Sequence, residues 1–310
     1  MPSNKTYAID ISLRTLREWP LPLPNFDSDK ELRGHVLVVA GSREMPGAAL
    51  LAATAALRAG AGKLTLATAA STAPHVAAAL PEARVIALAE TAGGGFSIEA
   101  ARRLGELAPK VDALLVGPGM QDEAASTELV RALLPRFAGC KIILDAGAME
   151  LLRPLAEPHL LAEPVDSEHF RFVEAVLLTP HAGELAHLCG QSRQAVQAEP
   201  HGMALRYAAR WNAVVALKGP LTVIAAPGGE LWEHEGGNIG LAISGSGDAL
   251  AGIIAGLAAR GCALEQAAAW GVALHAAAGD QLALRYGTLG YLAREISAEV
   301  PALLRTLAPA

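Results

Sequence analysis

From His35 onward, short runs of β-branched and aliphatic residues alternate with Ala/Leu-rich stretches of helical length. The runs read HVLVVA, KLTLAT, RVIAL, DALLVG, KIILDA, AVLLTP and AVVALKG. Strands separated by a helix-length segment join one sheet only through a crossover, which makes them parallel. The pattern therefore predicts βαβ units, hence an α/β fold with a mostly parallel sheet and helices packed on it. Such a sheet is buried on both faces and reads as near-continuous apolar runs. The composition agrees: 52% of residues are hydrophobic and only 4% aromatic, so the core must be built from Ala, Leu, Val and Ile. LTVIAAPGGELWEH, after the last run, predicts a hairpin. Residues 1–30 end in WPLPLPNFDSDK, whose prolines exclude a regular helix there. They are expected to form an arm, with residues 31–310 as one domain.

Open α/β sheets bind ligands beyond the carboxyl ends of their strands. Here those ends read AGSREMPGAA, GPG, LDAG, TPHAGE and LKGPLT. Further on, GGNIGLAISGSGDALAGIIAGL places more glycines before an apolar helix than a cap or turn requires. The first N–H groups of a helix lack internal partners and carry partial positive charge, so an anion docks there. Gly245 and Gly247 would let a phosphate approach, and Ser246 would add a hydroxyl. Asp248 reads two ways, as a helix cap or as a base that takes a proton from an attacking hydroxyl.

The other motifs carry paired readings as well. GSREMPGAALLAATAALRAGAG is a well-punctuated helix or a ligand loop. Asp145 in LDAG is a turn residue or a carboxylate that organises a loop. His181 and Glu184 bracket a helix start without the spacing of a metal site. Lys218 either snorkels or meets phosphate, while His275 and Asp280 read as packing or capping groups. No Walker A loop and no GxSxG elbow occur.

A net charge of −6 supplies no basic field for nucleic acid or an anionic membrane. The longest apolar stretches are interrupted by Arg58 or Asp248 and by glycines, which excludes a comfortable membrane span. Cys140, Cys189 and Cys262 lack metal or redox spacing, and the N-terminus lacks a signal-peptide pattern. A soluble, cytoplasmic protein is the expectation.

Taken in order, AGSREMPGAA, VGPG, LDAG, TPHAGE, LKGPLT and GNIGLAISGSGD resemble the ADP/ATP-dependent NAD(P)H-hydrate dehydratases, of the ribokinase-like superfamily. The resemblance runs from about Gly34 to the C-terminus. It implies a three-layer α/β/α fold and repair of hydrated NADH and NADPH. A nucleotide phosphate activates the C6 hydroxyl of the damaged ring, which is then eliminated. ADP (or ATP) with Mg²⁺ is the implied co-substrate, AMP and phosphate the implied products. Ala48, Gly119 and His181 would contact the hydrated dinucleotide. Lys218, Gly219, Pro220, Leu221, Thr222, Asn238 and Gly247 would hold the nucleotide, and Asp248 would face the hydroxyl as base. The resemblance also implies a homo-oligomer, a tetramer, in a stand-alone form without an epimerase domain. The chain departs from the family pattern at Gln121, Gly147, Pro220-Leu221 and Ile239. A vitamin or sugar kinase of the same fold is the alternative; an idle nucleotide sensor would be expected to lose Asp248.

Overall fold

Each apolar run named above is a strand. The computed structural model describes residues 7–23, 33–153 and 170–307; the end of the expected arm, residues 24–30, lies outside them. The strands are β1 (Ile9–Asp10), β2 (His35–Val39), β3 (Lys63–Ala69), β4 (Arg84–Leu88), β5 (Ala113–Val116), β6 (Lys141–Leu144), β7 (Val176–Leu178), β8 (Ala213–Leu217), β9 (Leu221–Ala225) and β10 (Leu231–Glu235). The helices are α1 (Leu13–Glu18), α2 (Pro46–Arg58), α3 (Ala73–Ala79), α4 (Ala100–Gly105), α5 (Glu123–Leu133), α6 (Ala182–Cys189), α7 (Arg193–Ala198), α8 (Pro200–Trp211), α9 (Ser246–Ala259), α10 (Leu264–Tyr286) and α11 (Ala293–Leu307).

Among the described residues the strands form one sheet in the order β1-β10-β9-β8-β7-β6-β5-β2-β3-β4, with only β9 running against its neighbours. The β9–β10 pair is the hairpin expected from the sequence. Alternating side chains divide the core into two layers. Val36 and Val38 of β2 pack with α2, α9, α10 and α11, whereas Leu37 and Val39 pack with α4, α5, α6 and α8. This is the three-layer α/β/α arrangement.

The chain leaves β2 in two directions, toward β3 on one side and, through β5, toward β8 on the other. A crevice therefore opens between the C-terminal ends of β2 and β5, the place where a doubly wound sheet binds ligands. The segment read as an arm contributes two ordered elements. β1 pairs in parallel with β10, Trp19 stacks on Trp232 at 5.7 Å, and α1 ends at Glu18, just before Pro20.

Two glycines set the spacing of the outer helices. A Cβ at Gly252 would collide with the backbone oxygen of Ala52, and one at Gly256 with that of Ala56. α9 and α2 therefore cross almost backbone to backbone. These two glycines lie inside α9, beyond the surplus that precedes the helix, and serve packing.

Candidate active site

The crevice is lined by two loops that touch. Gly41 N–H donates to the Pro118 carbonyl at 2.7 Å. A Cβ on Gly119, whose φ is +66°, would lie 2.5 Å from the Ala48 side chain and 3.0 Å from the Met45 oxygen. Ala48 and Gly119 thus face each other because neither carries bulk. Gln121 donates to Glu44 at 3.0 Å across the same seam. A Cβ on Gly147 would stand 3.0 Å from the Met120 oxygen. Two departures from the family pattern, Gln121 and Gly147, therefore adjoin one another through Met120.

Beside this seam the ends of β6, β7 and β8 and the start of α6 bring four polar side chains together. Asp145, 2% exposed, accepts from the Thr179 hydroxyl at 2.6 Å and from Lys218 Nζ at 3.2 Å. Lys218 Nζ also lies 3.7 Å from Glu184 Oε2. Burial works against the lysine's charge, but Asp145, Glu184 and Asp248 together outweigh it and hold its pKa above the ordinary value. Asp248 is moved the opposite way. Burial and then the charge of Asp145 push its carboxyl up to about 6, against the pull of Lys218.

His181 caps α6 with its ring. Nδ1 accepts from the N–H groups of Gly183 and Glu184 at 3.0 and 3.1 Å, and Glu184 Oε2 accepts from the His181 N–H at 2.7 Å. Nδ1 is therefore the bare nitrogen and Nε2 carries the proton, on a side chain 58% exposed. A cavity of about 250 Å³ opens beside it, lined by Ala146, Glu150, Glu184 and His187 among others.

Three helices that begin on this edge share one feature: the second residue is glycine, Gly47 in α2, Gly183 in α6 and Gly247 in α9. Gly247 is informative because its backbone does not require glycine. Its φ is not positive, and a Cβ there would meet only Lys218 Nζ, at 3.4 Å. What the missing side chain leaves open is the approach to the helix N–H groups and the ammonium, the setting of an anion site. The N-cap of α9 is Gly245, without a side-chain cap, and Asp248 is the third helical residue. Among the described residues Asp248 makes no capping hydrogen bond.

The remaining sequence candidates divide. Lys218, Gly219 and Pro220 turn the chain from β8 into β9, which Leu221 begins. The Thr222 hydroxyl donates to the Gly219 carbonyl at 3.1 Å, closing the turn. Asn238, by contrast, spends its side chain on holding its own loop in place. Oδ1 accepts from Gly240 N–H and Tyr291 OH, and Nδ2 donates to Asp280. Asp280 therefore anchors a loop rather than a helix end. Sequence reasoning passed over Thr179, which only its contact with Asp145 marks.

A sequence profile of the NAD(P)H-hydrate dehydratases matches residues 36–302. The chain is 48% identical to an ADP-dependent (S)-NAD(P)H-hydrate dehydratase of Xanthomonas campestris, over 96% of both chains. The crystal structure of an ADP/ATP-dependent NAD(P)H-hydrate dehydratase from Bacillus subtilis, co-crystallized with ATP/Mg²⁺, superposes with a TM-score of 0.81 at 29% identity. That match covers 97% of this chain and 99% of the other. A hydroxyethylthiazole kinase from Pyrococcus horikoshii, 16% identical with a TM-score of 0.56, shares the fold alone. The chain belongs to the NAD(P)H-hydrate dehydratase family.

Proposed function

We propose that this protein converts (S)-NAD(P)H hydrate and ADP into NAD(P)H, AMP and phosphate. The observation that carries this reading is the pairing of an open, lysine-lined helix start with a carboxylate whose pKa lies near working pH. Lys218 to Thr222 and Gly247 hold the nucleotide phosphates, and Asn238 keeps the neighbouring loop in place. Ala48, Gly119 and the Nε2–H of His181 hold the hydrated dinucleotide. Asp248 takes the proton of the C6 hydroxyl as that oxygen attacks the terminal phosphorus of ADP and AMP departs. Phosphate is a far better leaving group than hydroxide, and its elimination restores the reduced ring.

Mg²⁺ suits the donor set. Asp145, Glu184 and Asp248 set three carboxylates against one ammonium, so an anionic phosphate enters the hole most readily with a cation. Asp145 and Glu184 are hard oxygen donors that would hold Mg²⁺ when it enters with the phosphate. Among the described residues no group of three or more His, Cys, Asp or Glu side chains could hold a metal by itself. When bound, the ion neutralises phosphate charge. The same reading places the protein in the cytoplasm as a homo-oligomer, with residues 31–310 as the catalytic domain. Among the described residues no helix is long and apolar enough to cross a membrane.

The test is to incubate hydrated NADH with the protein, Mg²⁺ and either ADP or ATP and to follow reduced-nicotinamide absorbance. Absorbance is expected to return with both nucleotides and faster with ADP, because the carboxylates around Lys218 leave little positive charge for a third phosphate. A phosphorylated product that accumulates without the return of absorbance would make this a kinase instead.

His181 has a separable expectation. His181→Asn keeps a capping oxygen at the start of α6 but loses the exposed Nε2–H donor. KM for the hydrated dinucleotide should rise about tenfold with kcat within about threefold, the mark of a binding group. A large kcat loss at unchanged KM would make His181 a proton-transfer group.

A further inference from the structure

The middle of α10 carries a histidine that the reaction outlined above leaves unused. His275 Nε2 lies 3.0 Å from the Ser246 hydroxyl and 3.1 Å from the Ser246 carbonyl oxygen. A carbonyl only accepts, so a bare Nε2 would set two acceptors against each other. Nε2 therefore carries hydrogen and donates. The ring is neutral, since burial pushes its pKa down to about 4, with Lys218 acting in the same sense and the bond to the Ser246 carbonyl opposing.

This tautomer has a consequence for Ser246. Toward His275 its hydroxyl can only accept, so its own hydrogen is free. Among the described residues Oγ has no other hydrogen-bond partner, although Ser246 is only 5% exposed. It is also the first residue of α9, next to Gly247 and the opening that Gly247 leaves beside Lys218.

We propose that His275 is a positioning residue for the nucleotide. By filling the acceptor side of the Ser246 hydroxyl, it aims that hydroxyl's hydrogen into the anion hole, where it donates to a phosphate oxygen. The inference rests on the nucleotide reading given above. It distinguishes His275 from a histidine that merely satisfies itself in the core, which would affect melting but not phosphate affinity.

The experiment measures ADP affinity by calorimetry, with Mg²⁺, alongside melting temperature, for Ser246→Ala, His275→Leu, His275→Gln and the Ser246→Ala/His275→Leu double variant. Ser246→Ala and His275→Leu should each weaken ADP about tenfold, the scale of one hydrogen bond to a charged acceptor. The double variant should be no weaker than either single one, because both remove the same contact. His275→Gln, whose amide N–H reaches about as far as Nε2, should restore most of the affinity. Should His275→Leu fail to fold, His275→Asn, too short to reach Ser246, replaces it in both the single and the double variant. Affinities within twofold of the parent, losses that add in the double variant, or a Gln variant as weak as the Leu one would each overturn the inference, with the nucleotide reading intact. No ADP binding by the parent protein would overturn both.

Discussion

Asp248→Asn is expected to leave the protein folded and able to bind ADP while lowering kcat by about 10²–10⁴, the usual range for loss of a general base. Asn has nearly the same shape, and since Asp248 makes no capping bond, none is lost. Removing a negative charge beside the phosphates should keep or tighten nucleotide affinity. The stability change is opposite to that of a lost cap. In the folded state the carboxyl titrates at about 6 instead of 3.8, so its ionised form costs the fold stability. That cost is absent below about pH 4, where the group is protonated folded or unfolded; it grows through pH 4–6 and is complete above. It amounts to at most about 3 kcal/mol, and the helix dipole returns about 0.3–1 kcal/mol of it. The Asn variant should therefore melt at or above the parent at pH 7–8, with the difference closing below about pH 4. In the parent, kcat/KM should fall as pH drops below about 6, and the variant should lack that limb. Near-normal turnover with a lowered melting temperature would remove Asp248 from the base role.

Lys218→Met should cost both binding and stability, and the two losses can be separated. Without the ammonium the anion hole faces carboxylates alone, so ADP affinity should fall at least about 100-fold, the upper end of what one charged hydrogen bond supplies. Asp145 loses its cation while remaining buried, which costs about 3–5 kcal/mol when one partner of a buried pair is removed. Adding Asp145→Asn should recover most of the melting temperature, because the orphaned charge disappears, but only a small part of the ADP affinity, because the ammonium stays absent. A Lys218→Met variant that melts like the parent would show that the lysine does not hold the buried carboxylate. Recovery of ADP binding to the parent's level in the double variant would show that the ammonium is not the phosphate contact.

The strands from β2 to β8 were legible because each is a short apolar run between helical stretches, and burial on both faces demands that pattern. The start of α9 was legible too, from glycines in excess of any turn. Spacing alone could not tell that Gly247 leaves an opening beside Lys218 while Gly252 and Gly256, inside the helix, seat α9 on α2. That division depends on what each missing Cβ would touch. The Asp145–Lys218 pair spans 73 residues and forms only because β7 sits between β6 and β8, an order that no local pattern encodes. His275 and Asp280 looked like packing groups because their partners, Ser246 and Asn238, lie 29 and 42 residues away. β1 is two residues long, too short for any periodicity, and is held by the edge it joins.

The crossing of α2 and α9 bears on how the two reactants of the proposed chemistry meet. Ala52 lies one turn beyond Ala48, and Gly252 one turn beyond Asp248, so the backbone contact is about 6 Å along each helix from a residue of the site. In the proposed chemistry one helix opens on the dinucleotide and the other on the phosphate. Joined so closely, the two openings cannot drift apart without forcing α2 and α9 to separate. The encounter between hydroxyl and phosphorus then resembles an intramolecular reaction, in which the translational cost of bringing the reactants together is met as each binds. Well-oriented pairs of this kind reach effective concentrations of about 10⁵ M or more. A methyl group placed at Gly252, far from either ligand, would then slow the chemistry by lengthening the gap between them.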